Sequence, residues 1–269
     1  MSAVTAIYDG HMSAQPGLNR AALTSMLGAM CRRGPDAQAV EDCGPCVLGH
    51  ALLATLPEDR VMPVTSPDRR LVVVADARID NRDDVLAGAS EADVLFAAYD
   101  RWGTDCARHL RGAFAFVIWD TQERRLYCAR DQLAARPLFY SWSDGIFRCA
   151  SEPHALFADR RLSARPDLLA VALYVVREYH EVGPSLYAGV EALEGGHQLV
   201  VDERGLRKTR YWWPDPHRRL PAMSDDGYAE LLRESFEGAV ASRLRSRTPI
   251  GTALSGGIDS SAVTAEVER

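Results

Sequence analysis

The stretch Ser255-Gly256-Gly257-Ile258-Asp259-Ser260-Ser261 lies between an apolar run at 249–254 and a segment with helical spacing. The apolar run predicts a buried strand, so the stretch is a tight strand-to-helix loop. Its glycines let backbone N–H groups converge, the helix N-terminus adds positive potential, and the serine hydroxyls can donate to anionic oxygens. It lacks the lysine that a Walker A loop carries before its final Ser or Thr. The sequence therefore predicts an anion cradle of another kind.

Upstream of this loop, apolar spacing predicts a helix at 226–244. A proline-rich stretch precedes it, and we predict a linker at 206–222. Residues 223–269 thus begin an α/β unit of helix, strand, loop and helix, which they are too few to complete. We expect this unit to be truncated just after the loop.

Residues 1–205 have a different pattern, in which short strands are clustered between helices. Such clustering predicts an α+β domain of two antiparallel sheets covered by helices. We predict helices at 19–30, 92–102 and 167–176, the first capped by Asn19. Predicted strands lie at 4–8, 71–75, 113–119, 125–130, 137–142, 146–150 and 197–201.

Charge and cysteine content narrow the partners and the compartment. The 269 residues carry 31 Lys and Arg against 37 Asp and Glu, a net charge of −6. The chain lacks the excess of cationic residues that would indicate binding to nucleic acid or to an anionic membrane. It also has no apolar run long enough to span a membrane. We expect a cytoplasmic protein. Cys43-Gly44-Pro45-Cys46 has no second pair to complete a metal site, so we predict a turn flanked by reduced thiols and no metal centre.

The loop's S-G-G-x-D-S spacing resembles the pyrophosphate-binding loop of the ATP pyrophosphatase superfamily. Further motifs occur in the order found in asparagine synthetase-type proteins, and the chain resembles that family over essentially its whole length. These motifs are Arg33-Gly34-Pro35-Asp36, Gly49-His50, Ile79-Asp80-Asn81, the run 110–116, Trp119-Asp120, Ala129-Arg130-Asp131, the run 137–140 and Ala150-Ser151-Glu152.

The resemblance implies a glutaminase domain with the Ntn-hydrolase fold, an αββα sandwich, followed by an ATP pyrophosphatase domain. It also implies ATP and Mg²⁺ as cofactors. The residues that would hold the pyrophosphate are Ser255, Gly256, Gly257, Asp259, Ser260 and Ser261. The catalytic residues of the synthetase domain are expected beyond Arg269.

The chain departs from the family at the glutamine site. The family nucleophile is an N-terminal Cys, whereas this chain has Ser2; serine serves as the nucleophile elsewhere in the Ntn fold. Leu52 replaces the Arg that binds the glutamine carboxylate. Asp76-Ala77-Arg78 replaces Asn-Gly-Glu, so an acid stands where the oxyanion donor would be and a cation stands at the amine site. We expect the glutaminase to be lost.

Family members without the nucleophile use an amine that the substrate already carries. They include the β-lactam synthetases and the lasso-peptide macrolactam cyclases. The segments 75–83 and 211–216 resemble the lasso-cyclase branch, which implies a precursor peptide and a leader-processing protease as partners. The expected function is therefore ATP-dependent, AMP-forming amide ligation of a peptide or small-molecule carboxylate. Two alternatives remain: a glutamine- or ammonia-dependent asparagine synthetase, and, if the chain ends naturally at 269, a non-catalytic peptide-docking or scaffold protein.

Overall fold

The computed structural model describes residues 1–10, 17–178 and 185–268. They form two compact units: the first comprises Met1–Ala54 with Arg60–Trp213, and the second Thr55–Asp59 with Pro214–Arg269. In the described residues, no helix combines the length and the apolar character that crossing a membrane requires.

The first unit contains two six-stranded antiparallel sheets. Its strands are β1 (Ala3–Asp9), β2 (Ala37–Asp42), β3 (Cys46–Leu52), β4 (Val64–Thr65), β5 (Leu71–Ile79), β6 (Gly112–Asp120), β7 (Arg125–Arg130), β8 (Phe139–Ser143), β9 (Ile146–Ala150), β10 (Glu191–Ala192), β11 (His197–Asp202) and β12 (Gly205–Arg210). The strand orders are β10-β8-β9-β1-β3-β2 and β12-β11-β7-β6-β5-β4.

Within the first unit, helices lie on both sheets. The helices of this unit are α1 (Leu18–Ala29), α2 (Arg82–Leu86), α3 (Glu91–Trp102), α4 (Pro153–Leu156) and α5 (Leu168–Val175), and a 3₁₀ helix spans Gly103–His109. The second unit contains α6 (Asp225–Ala241) and α7 (Ile258–Val267).

Strand β1 shows why the layers stack as they do. Successive side chains of a strand point to opposite faces, so alternate residues enter different cores. Val4 and Ala6 pack in the core between the two sheets. Ala3 and Ile7 pack on the outer face with residues of α1. Because α3 covers the outer face of the other sheet at β5, the order of layers is α, β, β, α, which confirms the predicted αββα sandwich.

Several predicted elements are confirmed with small shifts at their ends, but the cap of α1 is wrong. The helix begins at Leu18 rather than at Asn19, and Gly17 occupies the N-cap position with φ 92° and no side-chain cap. Glycine adopts this left-handed conformation without steric cost, so the helix starts without a polar cap.

The sequence did not predict the hairpin formed by β2 and β3. Cys43 lies in its turn and Cys46 is the first residue of β3, and Gly44 has φ 83°, which agrees with the predicted turn. All six cysteines are free thiols.

The predicted linker at 206–222 is wrong over its first residues. Strand β12 spans Gly205–Arg210 and pairs with β11 as an edge strand of the sheet. Tyr211 is 4% exposed, and its hydroxyl donates to the Arg130 carbonyl at 2.6 Å. The first unit therefore extends to Trp213.

In the second unit, helix α6 is confirmed, and Ser224 caps it by accepting a hydrogen bond from the Gly227 N–H. The predicted strand at 249–254 is wrong: these residues adopt no regular structure, and Ile250 and Leu254 are exposed. A strand needs a hydrogen-bonded neighbour, and none of the described residues pairs with this segment as a strand.

Candidate functional site

Ser2 lies directly before β1 and is 8% exposed. Its hydroxyl oxygen accepts a hydrogen bond from the Leu53 N–H at 3.1 Å. Its carbonyl oxygen accepts one from Arg33 Nε at 2.7 Å. Burial lowers the pKa of the preceding α-amine, at Met1, although the nearby Asp76 carboxylate opposes this effect. The residue at the family's nucleophile position is therefore held by backbone and guanidinium contacts.

Arg33 connects the parts of this site. It follows α1, and its guanidinium contacts Asp76 Oδ2 at 3.3 Å and Glu152 Oε1 at 3.4 Å in addition to the Ser2 carbonyl. The next residue, Gly34, packs so closely on the end of β3 that an added Cβ would lie 2.2 Å from the Ala51 carbonyl. The close approach of the Gly34 and Ala51 backbones thus fixes the position of Arg33.

Asp76, on β5, is enclosed by two arginines. Its side chain is 5% exposed and lies 3.3 Å from Arg33 and 3.4 Å from Arg136 Nε. Burial raises the pKa of this carboxyl, and the two guanidinium groups offset only part of the effect. The sequence predicts an acid in place of the oxyanion donor here, but it points to neither arginine as a partner. The structure adds two counter-charges to that expectation.

The remaining predicted residues lie around this cluster. Leu52, at the end of β3, is 8% exposed and presents no charge to a substrate carboxylate. Ala77 packs against the core, whereas Arg78 shares a face of β5 with Asp76. Arg78 Nε lies 3.8 Å from Asp80 Oδ1. The structure therefore brings Ser2 and Asp76 together through Arg33 and places Arg78 two residues further along the strand.

Sequence reasoning assigned no role to Arg33 or Arg136. Arg33 belongs to the Arg-Gly-Pro-Asp motif, which was a signal, although its partners are far away in the chain. Arg136 lies between β7 and β8 and carries no local signal. Only the tertiary fold brings it to β5.

The loop of the second unit is a second, separate site. The Ser255 N–H donates to Ser260 Oγ at 3.2 Å, and the two hydroxyl oxygens are 2.9 Å apart. Gly256 has φ 82°, which suits glycine, and Gly257 is the N-cap of α7. The first N–H groups of a helix have no partners within the helix, which is the general physical basis for the anion site predicted at this loop.

The residues predicted to bind pyrophosphate lie in this loop and in the first turn of α7. They are Ser255, Gly256, Gly257, Asp259, Ser260 and Ser261, and all but Ser260 are exposed. Within the described residues, no group of three His, Cys, Asp or Glu side chains could hold a metal by itself.

Comparison with known proteins places both units in families. Residues 1–212 match the model of the glutamine amidotransferase domain, and residues 231–269 match that of asparagine synthase. The chain is 30% identical to asparagine synthetase [glutamine-hydrolyzing] 3 of Bacillus subtilis, covering 89% of this chain and 41% of that protein. It is 34% identical to a putative asparagine synthetase [glutamine-hydrolyzing] of Mycobacterium bovis, covering 76% of this chain and 34% of that protein.

Among solved structures, glutamine phosphoribosylpyrophosphate amidotransferase from B. subtilis matches with a TM-score of 0.55 at 18% identity, covering 79% of this chain and 50% of that one. The fold is thus that of the class II glutamine amidotransferases of the Ntn-hydrolase class. The chain belongs to the asparagine synthetase family, whose members are ATP-dependent ligases. It spans less than half the length of the two curated relatives named above.

Proposed function

We propose that this chain is part of an ATP-dependent, AMP-forming amide ligase that uses an amine already carried by its substrate. The lasso-peptide macrolactam cyclases offer the best precedent. The substrate carboxylate oxygen bonds to the α-phosphorus of ATP, the bond to the β-phosphate oxygen breaks, and pyrophosphate leaves. The substrate amine then bonds to the acyl carbon and loses a proton to a base, and AMP leaves. Mg²⁺ supplies neutralisation of the phosphate charge.

The altered glutamine site is the observation that carries this proposal. A glutaminase needs a nucleophile with a free base beside it, a cation for the substrate carboxylate and donors for the oxyanion. Here Ser2 Oγ already accepts the Leu53 N–H, and Leu52 supplies no cation. Asp76 is engaged by two arginines instead of offering an amide donor. Nitrogen from glutamine is therefore not expected, and the amine must come from elsewhere.

The loop at 255–261 supports the ligase half of the proposal. The paired hydroxyls of Ser255 and Ser260 and the N-terminus of α7 would hold the departing pyrophosphate. The acyl substrate would be a peptide or small-molecule carboxylate, with a precursor peptide and a leader-processing protease as the partners of the lasso-cyclase branch, in the cytoplasm.

A glutamine- or ammonia-dependent asparagine synthetase is the second candidate. The glutamine-hydrolysing descriptions of the curated relatives favour it. It would require Ser2 to act as the nucleophile or free ammonia to replace glutamine. A non-catalytic docking protein is the third candidate, and binding of a peptide without any nucleotide binding would favour it.

Glutamate release from glutamine separates the proposal from glutamine-dependent asparagine synthesis. The whole chain, Ser2→Ala and Ser2→Cys are incubated with glutamine, after mass spectrometry has established the state of the N-terminus. We expect no release from any of the three, because the cysteine variant still lacks the carboxylate clamp and the oxyanion amide. Release that depends on Ser2 would reject the proposal in favour of glutamine-dependent asparagine synthesis.

A further inference from the structure

A cavity of about 390 Å³ lies at one end of the first unit. The end of β1 and the turns β2–β3, β6–β7 and β11–β12 surround it. This volume is within the range of about 300–1,000 Å³ that small-molecule sites occupy. Ser2 precedes β1 whereas Asp9 ends it, and a rise of about 3.3 Å per residue separates these two residues by about 20 Å. The cavity is therefore distinct from the altered glutamine site.

Tyr8 lines this cavity with a hydroxyl that has no partner among the described residues. The residue is 4% exposed, and its ring packs against Trp119 with the centroids 5.8 Å apart. Burial raises the pKa of Tyr8, although Arg124 opposes this effect, so the hydroxyl keeps its proton at neutral pH. Buried polar groups are normally hydrogen-bonded. A mostly buried tyrosine thus offers the cavity a donor that lacks an acceptor.

Charges of both signs line the cavity in equal number. Among the described residues that line it there are four arginines and four acidic residues. Two of these charges belong to Glu203 and Arg204 in the β11–β12 turn, whose side chains form no hydrogen bond or ion pair with another described residue. Beside them, Asp202 pairs with Arg207 at 3.1 Å. A ligand of a single charge would meet like charges here, whereas a zwitterion complements both Glu203 and Arg204.

We propose that this cavity binds a small zwitterion of the kind that free α-amino acids represent. The ligand carboxylate accepts a hydrogen bond from the Tyr8 hydroxyl and pairs with Arg204, and the ligand ammonium donates to Glu203. The site goes beyond the proposed ligase function, since none of these three residues takes part in it. Its ligand and the outcome of the glutamate-release assay are therefore independent of each other.

Isothermal titration calorimetry of the whole chain tests this proposal with L-alanine, L-serine and L-leucine as probes. At least one of them should bind saturably, one molecule per chain, with a dissociation constant below about 1 mM. The amino acid that binds best is then compared with its deaminated and decarboxylated analogues, which for alanine are propionate and ethylamine. Each analogue keeps one charge and should bind at least about tenfold more weakly, because it loses a charge-assisted contact.

Variants of the chain locate the bound probe. Tyr8→Phe keeps the ring against Trp119 and should weaken binding about tenfold, as should Arg204→Gln. Arg20→Gln is the matched control, an exposed arginine on α1 of the same unit, and should bind normally. Circular dichroism verifies that the variants fold.

Three results would overturn the proposal. The first is the absence of saturable heat from every probe up to about 10 mM. The second is binding of the deaminated analogue as tightly as the amino acid, which would make the cavity a simple anion site. The third is unchanged binding by both Tyr8→Phe and Arg204→Gln; loss of that binding in Ser2→Ala would then assign the probe to the altered glutamine site.

Discussion

Asp76→Asn restores the amide that active family members are expected to carry, yet we expect it to destabilise the first unit. The carboxylate is 5% exposed and lies between Arg33 and Arg136 at 3.3 and 3.4 Å. These two side chains are themselves only 11% and 19% exposed. Replacing Asp76 by Asn therefore leaves two mostly buried guanidinium groups without their shared counter-charge.

The size of the effect follows from this burial. Removing one partner of a buried ion pair costs about 3–5 kcal/mol. Arg33 keeps its contacts with the Ser2 carbonyl and Glu152, so we expect the lower end, about 3 kcal/mol. Because burial raises the pKa of Asp76, this loss reflects the unpaired arginines rather than a strongly favourable carboxylate. A domain of 150–250 residues loses about 2–4 °C per kcal/mol, so the unfolding midpoint should fall by about 6–12 °C.

Urea and thermal unfolding of the whole chain measure this change. Asp84→Asn is the matched control, since Asp84 pairs with Arg111 at 3.0 Å but the two side chains are 65% and 75% exposed. We expect the control to lose less than about 1 kcal/mol. If Asp76→Asn unfolds within about 1 kcal/mol of the unchanged chain, the ion-pair cluster does not stabilise the fold and the reasoning is refuted. Glutamate release should remain absent, because Ser2 and Leu52 are unchanged.

Three further changes test the fold around this site. Burial lowers the pKa of His50 to about 4, whereas the pKa of an unperturbed histidine in the unfolded chain is about 6.5. Between these pH values the unfolded state binds a proton that the folded state does not. The free energy of unfolding should therefore fall by about 1.4 kcal/mol per pH unit as the pH drops from 6.5 to 4. Urea titrations of His50→Gln should lose this slope, and an unchanged slope would assign it to other groups. Gly34→Ala sets a Cβ 2.2 Å from the Ala51 carbonyl and should lower the free energy of unfolding by at least about 2 kcal/mol. Its control is Gly28→Ala, whose added Cβ has no atom within 4 Å and which should be neutral or stabilising. Equal unfolding midpoints for the two variants would contradict this expectation. Arg148→Met should cost about 3 kcal/mol in the same assay, because Arg148 is 1% exposed and pairs with the buried Asp159 at 2.6 Å. This is the lower end for a buried pair, since Asp159 keeps its contact with Arg161 at 2.8 Å; a loss below about 1 kcal/mol would count against it.

Local signals predicted well the elements whose stability is local. Helix α5, predicted at 167–176, begins at Leu168, directly after Asp167, whose side chain accepts hydrogen bonds from the N–H groups of residues 169 and 170. Strands β7 and β9 have the predicted bounds because their apolar runs are short and clearly delimited. Strand β12 was missed because it is a charged edge strand, whose stability comes from pairing with β11 and not from its own apolar pattern.

The sequence by itself determined the layered α+β architecture and placed the glycine- and serine-rich loop at 255–261 and the apolar side chain of Leu52. These depend on residue types and short spacings, which the chain carries locally. Only the tertiary structure decided that Arg33 and Arg136 converge on Asp76, and that α5 turns its apolar face outward. Charge pairing and burial are set by contacts between residues distant in sequence, and such contacts exist only once the sheets have packed.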